Sequence, residues 1–341
     1  MKQLLWTLLL TLFLTSAAAA SEQNPWTHSF YFENDLLVGS DSDYTNGLKY
    51  SLISPDLAPT TPQPTAIKFN RLALDFIQSL PFIKNAPPTS GHKIELAVGQ
   101  NMYTPKDISR SDLIEDDRPY AGYSYLASAY HRKSAITENW SQMNSLEIQL
   151  GIVGPASLAA DAQKLIHRVR DLQRPNGWDH QLKNEPGLTL AFERKWLYHP
   201  TRDGRLCADA IFHAGGTAGN IMTYLNGGLE FRYGWNIPRS FSAALIRPAA
   251  STWSTPGTGL SLYLFVAANG RLVARDIFLD GNSFRSSHSV DKKYFVGDYS
   301  YGLTGRWQRL SATLVFTERS REYDEQEKSH GFSSLSLSYA F

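Results

Sequence analysis

The feature that most constrains this chain is a two-residue hydrophobic period, which returns in segments of about ten residues separated by polar turns. Leu335, Leu337, Tyr339 and Phe341 alternate with Ser334, Ser336, Ser338 and Ala340. Leu225, Leu229, Phe231, Tyr233 and Trp235 share one parity, and Asn226, Glu230 and Arg232 share the other. Leu146, Ile148, Leu150 and Ile152 oppose Glu147 and Gln149 in the same way, as Ile94, Leu96 and Val98 oppose Glu95, Ala97 and Gly99. Leu310, Ala312, Leu314 and Phe316 repeat the pattern. Successive side chains of a strand point to opposite faces, so each segment has one apolar and one polar face. A water-soluble sandwich alternates too, but two features favour a transmembrane antiparallel β-barrel. The segments have the roughly 9–11 residues that a tilted strand needs to cross a bilayer. Tyr, Trp and Phe also gather near the ends of the apolar faces, where an interfacial girdle would place them.

Strands are predicted near 27–34, 45–54, 91–101, 120–132, 143–153, 187–197, 205–216, 223–235, 258–270, 292–303, 306–319 and 331–341. Arg271 to Asp280 reads as a further strand or as an extension of the one before it. Bacterial single-chain barrels have even strand numbers, and an open edge cannot stand in lipid, so twelve strands are expected. The chain ends on Phe341, which resembles the assembly signal of bacterial outer-membrane barrels. With both termini in the periplasm, the connections 35–44, 102–119 and 154–186 fall outside the cell. The connection 55–90 then falls inside, with a helix expected over Ala66–Ile83, as does the short turn 198–204.

Leu4 to Leu14 is the one continuous apolar run, too little for a helical membrane protein, whose spans need about 20 apolar residues each. With Met1-Lys2 before it and Ala18-Ala19-Ala20 after it, the run reads as a secretory signal over 1–20. A membrane anchor is the alternative. The mature chain, 21–341, is expected to be a single barrel domain in the bacterial outer membrane. An aromatic content of 12% argues against disorder. Lys and Arg number 33 against 32 Asp and Glu, and Lys2 is the only charge in the first twenty residues. This balance lacks the basic surplus of a nucleic-acid binder. The lone Cys207 excludes an internal disulfide and a Cys-based zinc site.

Unusual polar clusters fall on the external connections. Phe32-Glu33-Asn34-Asp35 and Asp41-Ser42-Asp43-Tyr44-Thr45-Asn46-Gly47 carry oxygen ligands at a density that suits a hard cation such as calcium. An EF-hand frame from Asp41 fails, because Asn46 and Leu52 stand where Gly and Glu are needed. Spacing alone leaves a polar surface turn open. In Glu115-Asp116-Asp117-Arg118-Pro119-Tyr120-Ala121-Gly122, Arg118 could clamp a phosphate or pair with its acidic neighbours.

Ala156 to Gln173 reads as a helix with Leu158, Ala162, Leu165, Val169 and Leu172 on one stripe. If that stripe packs against the barrel, Gln163, His167 and Arg170 are presented together on the opposite face. Histidine is the commonest general base, and a solvated helix face is the plainer reading. His180, in the same connection, is the fallback base. No G-x-S-x-G elbow, H-E-x-x-H pair or Walker loop is present.

Taken in order, these clusters resemble the lipid A 3'-O-deacylase (LpxR-like) family of outer-membrane enzymes. The likeness rests on Phe32-Glu33-Asn34-Asp35, Tyr44-Thr45-Asn46-Gly47, Asp117-Arg118-Pro119-Tyr120-Ala121-Gly122 and Gly151-x-Val153-Gly154-Pro155. Gln163, His167, Gly177-Trp178, Gln181-Leu182 and Asn184-Glu185-Pro186 complete it, over nearly the whole mature chain. The resemblance implies a twelve-stranded barrel with a calcium-dependent esterase site that removes the 3'-linked acyloxyacyl chain from lipid A of lipopolysaccharide. It implies that His167 is the general base, that Asn34 and Asp35 hold calcium, and that Gln163 positions groups beside His167. Thr45, Arg118 and Glu185 match the motifs as substrate-binding candidates. A monomer is expected, since closure removes the need for a partner strand. The alternatives are a phospholipase or other lipid esterase on the same fold, and a passive pore or structural barrel with an open lumen.

Overall fold

In the computed structural model the described residues are 26–35, 43–57, 91–200, 205–241, 246–249 and 259–341. Twelve antiparallel strands close on themselves, each paired with its neighbours in sequence and β1 with β12. They are β1 Thr27–Asn34, β2 Asp43–Ile53, β3 Gly91–Thr104, β4 Ala121–Ala135, β5 Trp140–Val153 and β6 Glu185–Tyr198. The circuit continues with β7 Leu206–Gly219, β8 Met222–Trp235, β9 Leu260–Asp276, β10 Phe295–Trp307, β11 Leu310–Arg319 and β12 His330–Ala340. The expected strand number and order hold. Arg271–Asp276 extends β9, and Ile277–Asp280 forms a helical turn, here α2. The helix expected over 66–83, and residues 36–42 of the first external connection, lie outside the described residues.

Parity sorts the side chains. On β3, β4 and β5, Leu96, Val98, Leu126, Ile148 and Leu150 are exposed, while Lys93, Glu95, Ala127, His131, Glu147 and Gln149 are buried. The greasy face therefore points outward, the arrangement a barrel adopts when lipid surrounds it. Tyr198, Trp235 and Trp307 stand exposed at the ends of β6, β8 and β10, on one rim of this apolar belt.

The lumen is polar and filled by ion pairs. Lys49 Nζ lies 2.9 Å from Glu95 Oε1, and Arg232 grips Asp209 with two bonds of 2.6 Å. The β8–β9 connection enters from the periplasmic end. Its Ile246 N–H donates to Glu33, Arg247 pairs with Glu193, and the Ala249 N–H donates to Glu147. Residues 246–249 of this connection therefore occupy part of the lumen, which the passive-pore reading expected to be open.

Candidate active site between the barrel wall and a helix

The connection after β5 doubles back onto the outside of the barrel. A short 3-10 turn, Pro155–Ser157, leads through Leu158 at φ 59° into α1, Ala159–Arg170. The helix is shorter than the expected 156–173 because left-handed residues, Leu158 and Asp171, bound it at both ends. It packs on β4 and β3. The wall residues beneath it have outward parity: Gln100 Nε2 donates to the Ser157 carbonyl at 2.7 Å, as does Ser124 Oγ. Gly122 makes the approach close enough, since a Cβ there would lie 2.2 Å from the Ala159 Cβ. Gly154 turns the chain at φ 94° against the backbone of Lys183 and Asn184. Two glycines of the sequence motifs are thus explained by the docking of this helix.

The orientation of α1 corrects the expectation. Leu158, Leu165, Ile166 and Val169 are exposed, and Ala159, Gln163 and His167 form the buried face. Arg170 is exposed and does not join His167. The expected packing assumed water outside the barrel. Here the barrel exterior is itself apolar, so outward-facing Leu165, Ile166 and Val169 suit the medium that Leu126, Ile148 and Leu150 suit. Of the helix's polar residues only Gln163 and His167 turn to the wall, while Asp161, Lys164, Arg168 and Arg170 are exposed.

His167 is 3% exposed, and its Nδ1 is bonded to the Gln173 carbonyl. A carbonyl only accepts, so Nδ1 carries a proton, and Nε2 is the ring nitrogen not engaged by this bond. Gln163, one turn earlier, accepts a 2.7 Å bond from the indole N–H of Trp178. Because that indole only donates, the Gln163 oxygen must face it, which leaves Nε2 buried with no partner among the described residues. Met102, Ile108, Tyr120 and Trp178 pack with Ala159 into an apolar cluster under the helix. The Leu182 N–H donates to the Tyr120 carbonyl, and Asn184 Oδ1 accepts from the Ala156 N–H.

Asn34 and Asp35, at the outer end of β1, are buried at 5% and 0% exposure. Asn34 has the outward parity of His28, Phe30 and Phe32, and it is the register partner of Asn46 on β2. Asn46 in turn pairs with Met102 on β3, and Met102 with Gly122 on β4. Asn46 is a further candidate, quoted in the sequence motif but given no role there. Its signal was a polar side chain on the parity of Leu48, Tyr50 and Leu52, the lipid-facing one. From Ala159, over Gly122, α1 advances about 12 Å to His167, roughly two to three strand spacings. Lying over β4 and β3, it carries His167 toward the side of the wall where Asn46 and Asn34 face outward.

Thr45 is the residue at which the β2–β3 register shifts, a bulge beside this row. The other two candidates stand on the lumen side. Arg118, 1% exposed, lies over the Tyr103 ring and pairs with Glu322 at 3.4 Å. Burial alone would raise the Glu322 carboxyl, but Arg319 and Arg118 outweigh it and hold it below the usual carboxylate range. Glu185 has inward parity and accepts bonds from Asn220, Asn282 and the Ser283 N–H. Neither is brought to His167. His180 is exposed on the 3-10 turn that carries Trp178. No group of three or more His, Cys, Asp or Glu able to hold a metal occurs among the described residues.

A closed barrel with an apolar exterior, and a helix that buries Gln163 and His167 against its outer wall, defines an outer-membrane protein with a candidate site under that helix. A model of the family described as outer membrane protein LpxR matches residues 4–341, and the chain belongs to that family. Among solved structures it is similar to LpxR from Salmonella typhimurium, at 16% identity, with 92% of this chain and 100% of that one covered and a TM-score of 0.72. That likeness is one of fold. The β domain of the Bordetella autotransporter BrkA aligns at 8% identity over 94% of this chain and 99% of that one, with a TM-score of 0.43. No curated protein matches the chain.

Proposed function

We propose that this protein is a calcium-dependent lipid A 3'-O-deacylase, a carboxylic ester hydrolase that removes the 3'-linked acyloxyacyl chain from lipopolysaccharide in the outer leaflet. The observation that carries this reading is the buried His167, held through Nδ1 so that Nε2 is its remaining ring nitrogen, on the wall-facing side of a helix that exposes Leu165, Ile166 and Val169 on its other side. Membership of the LpxR family supports the substrate class.

In this reading His167 Nε2 takes a proton from a water, and the water oxygen bonds to the ester carbonyl carbon. The C=O electron pair moves onto the carbonyl oxygen, toward which Gln163 Nε2 can donate. When the pair returns, the bond to the sugar oxygen breaks and the His167 proton passes to that oxygen. The products are a free sugar hydroxyl and a fatty acid. A carboxylate and a carboxamide buried in succession, Asp35 and Asn34, are the oxygen donors a hard cation takes, so they fit calcium. Bound there, calcium supplies positive charge for the developing oxyanion. Trp178 positions Gln163, and Thr45, at the β2–β3 register shift, is a substrate-binding candidate. Arg118 and Glu185 contribute to substrate binding by fastening the outer connections. The chain acts as a monomer after loss of residues 1–20, as one barrel domain.

The test is to incubate the detergent-refolded protein with lipid A, with calcium or with chelator, and to weigh the products by mass spectrometry. Loss of the 3'-acyloxyacyl mass with calcium only is the expected result. An unchanged spectrum from a folded barrel, with fatty acid released from phospholipid vesicles instead, would replace this reading by the phospholipase one.

A further inference from the structure

A second concavity stands over the barrel mouth, away from the pocket under α1. It is a cleft of about 650 Å³ between the β3–β4 and β11–β12 connections, within the ~300–1,000 Å³ range of ligand sites. Its base is built rather than loose. Asp117 accepts from the Tyr323 hydroxyl at 2.6 Å and from the backbone N–H groups of Lys106 and Arg118. Across it, Lys106 meets Glu327 at 2.8 Å. Gln326, 6% exposed, lines the cleft and accepts the Glu322 N–H through Oε1 at 2.6 Å. Its Nε2 has no partner among the described residues.

The lining mixes signs. Asp107, Asp116, Asp117, Glu325 and Glu327 offer acceptors, and Lys106, Arg110 and Lys328 offer donors, with Lys106 paired to Glu327 and Arg110 to Asp112. A strongly anionic ligand would meet the carboxylates, and a bare cation would meet the three cationic side chains. A polyhydroxyl ligand uses both, because each hydroxyl donates and accepts. We infer that this cleft is a saccharide subsite, which takes the oligosaccharide that projects outward from a membrane-anchored lipopolysaccharide whose acyl ester lies under α1. The choice of saccharide rests on the lipopolysaccharide reading above. The cleft faces away from the membrane, where the sugar part of such a molecule must lie.

The experiment uses the full refolded barrel and the lipid-free oligosaccharide released from lipopolysaccharide by mild acid, with binding read by titration calorimetry. The wild type is expected to bind it saturably, and Gln326→Ala to weaken binding about fivefold, the value of one hydrogen bond. Lys328→Glu, at an exposed position, gives a second variant that keeps the fold, and it should weaken binding as well. In parallel, the ratio of kcat/KM for whole lipopolysaccharide over lipid A should fall in both variants. No saturable binding by the wild type, or equal binding by wild type and both variants, overturns the subsite. Saturable, variant-sensitive binding by a barrel that cleaves neither substrate leaves the subsite standing and removes the deacylase reading.

Discussion

Polar side chains are buried in two places, the lumen and the pocket under α1, and the two are built differently. In the lumen, charge meets charge: Lys49 with Glu95, Arg232 with Asp209, Arg247 with Glu193. Such pairs offset the cost of burial and hold the strands and the inserted connection in place. Under α1 the buried polar groups are few and not paired as ions, and one donor, Gln163 Nε2, is left open among the described residues on the helix face that carries the imidazole held by Gln173. A buried donor without a partner costs stability, so its presence points to a group that arrives from outside. The lumen supports the structure, and in the proposed reading the outer wall carries the chemistry.

Substitutions can break that division, the largest effect first. His167→Ala should lower ester hydrolysis by about 10²–10⁴-fold, the usual worth of a general base, in a barrel that still shows its heat-modifiable migration. Wild-type turnover by such a barrel would remove His167 from the reaction. Gln163→Ala should cost about 10²-fold in kcat, as for a lost oxyanion donor, and Trp178→Phe less, because Trp178 only orients Gln163. Equal losses from the two would mean that Gln163 acts through packing. Leu165→Asp with Val169→Asp should slow hydrolysis in bilayers by roughly tenfold, the charged helix face resisting lipid, and much less in detergent. Arg247→Ala should leave hydrolysis at the wild-type rate. It should destabilise the barrel by about 3–5 kcal/mol, the cost of breaking a buried pair, and raise single-channel conductance. Loss of hydrolysis without a change in conductance would place the reaction in the lumen instead.

Much of the barrel is legible in the sequence because a period of two has one geometric meaning. β1 is found at its predicted bounds, and most other strands gain only a few residues at the ends. The gains fall at both ends of the barrel, as 102–104 of β3 and 271–276 of β9 at one end and 133–135 of β4 and 140–142 of β5 at the other, where alternation no longer has to match lipid. The side chains of α1 were legible as a set, with Gln163 and His167 one turn apart, but not the direction they face. An amphipathic stripe tells which residues differ, and only the surrounding medium decides which side is buried. The polar residues Asn34, Asn46, Gln100 and Ser124, all on the outward parity, mark in sequence the part of the wall that is covered. The insertion of Ile246–Ala249 had no such mark: Arg247 reads as an ordinary loop cation until Glu193 is seen opposite it.

Whether α1 turns its catalytic face to the wall and its apolar face to lipid is read most directly with a nitroxide on Leu165→Cys in proteoliposomes. Collision with dissolved oxygen should exceed collision with a water-soluble nickel chelate, as for a label at Leu126→Cys in the barrel belt. Nickel-dominated relaxation at position 165, with the belt label still in lipid, would contradict this placement of the helix and of His167 behind it.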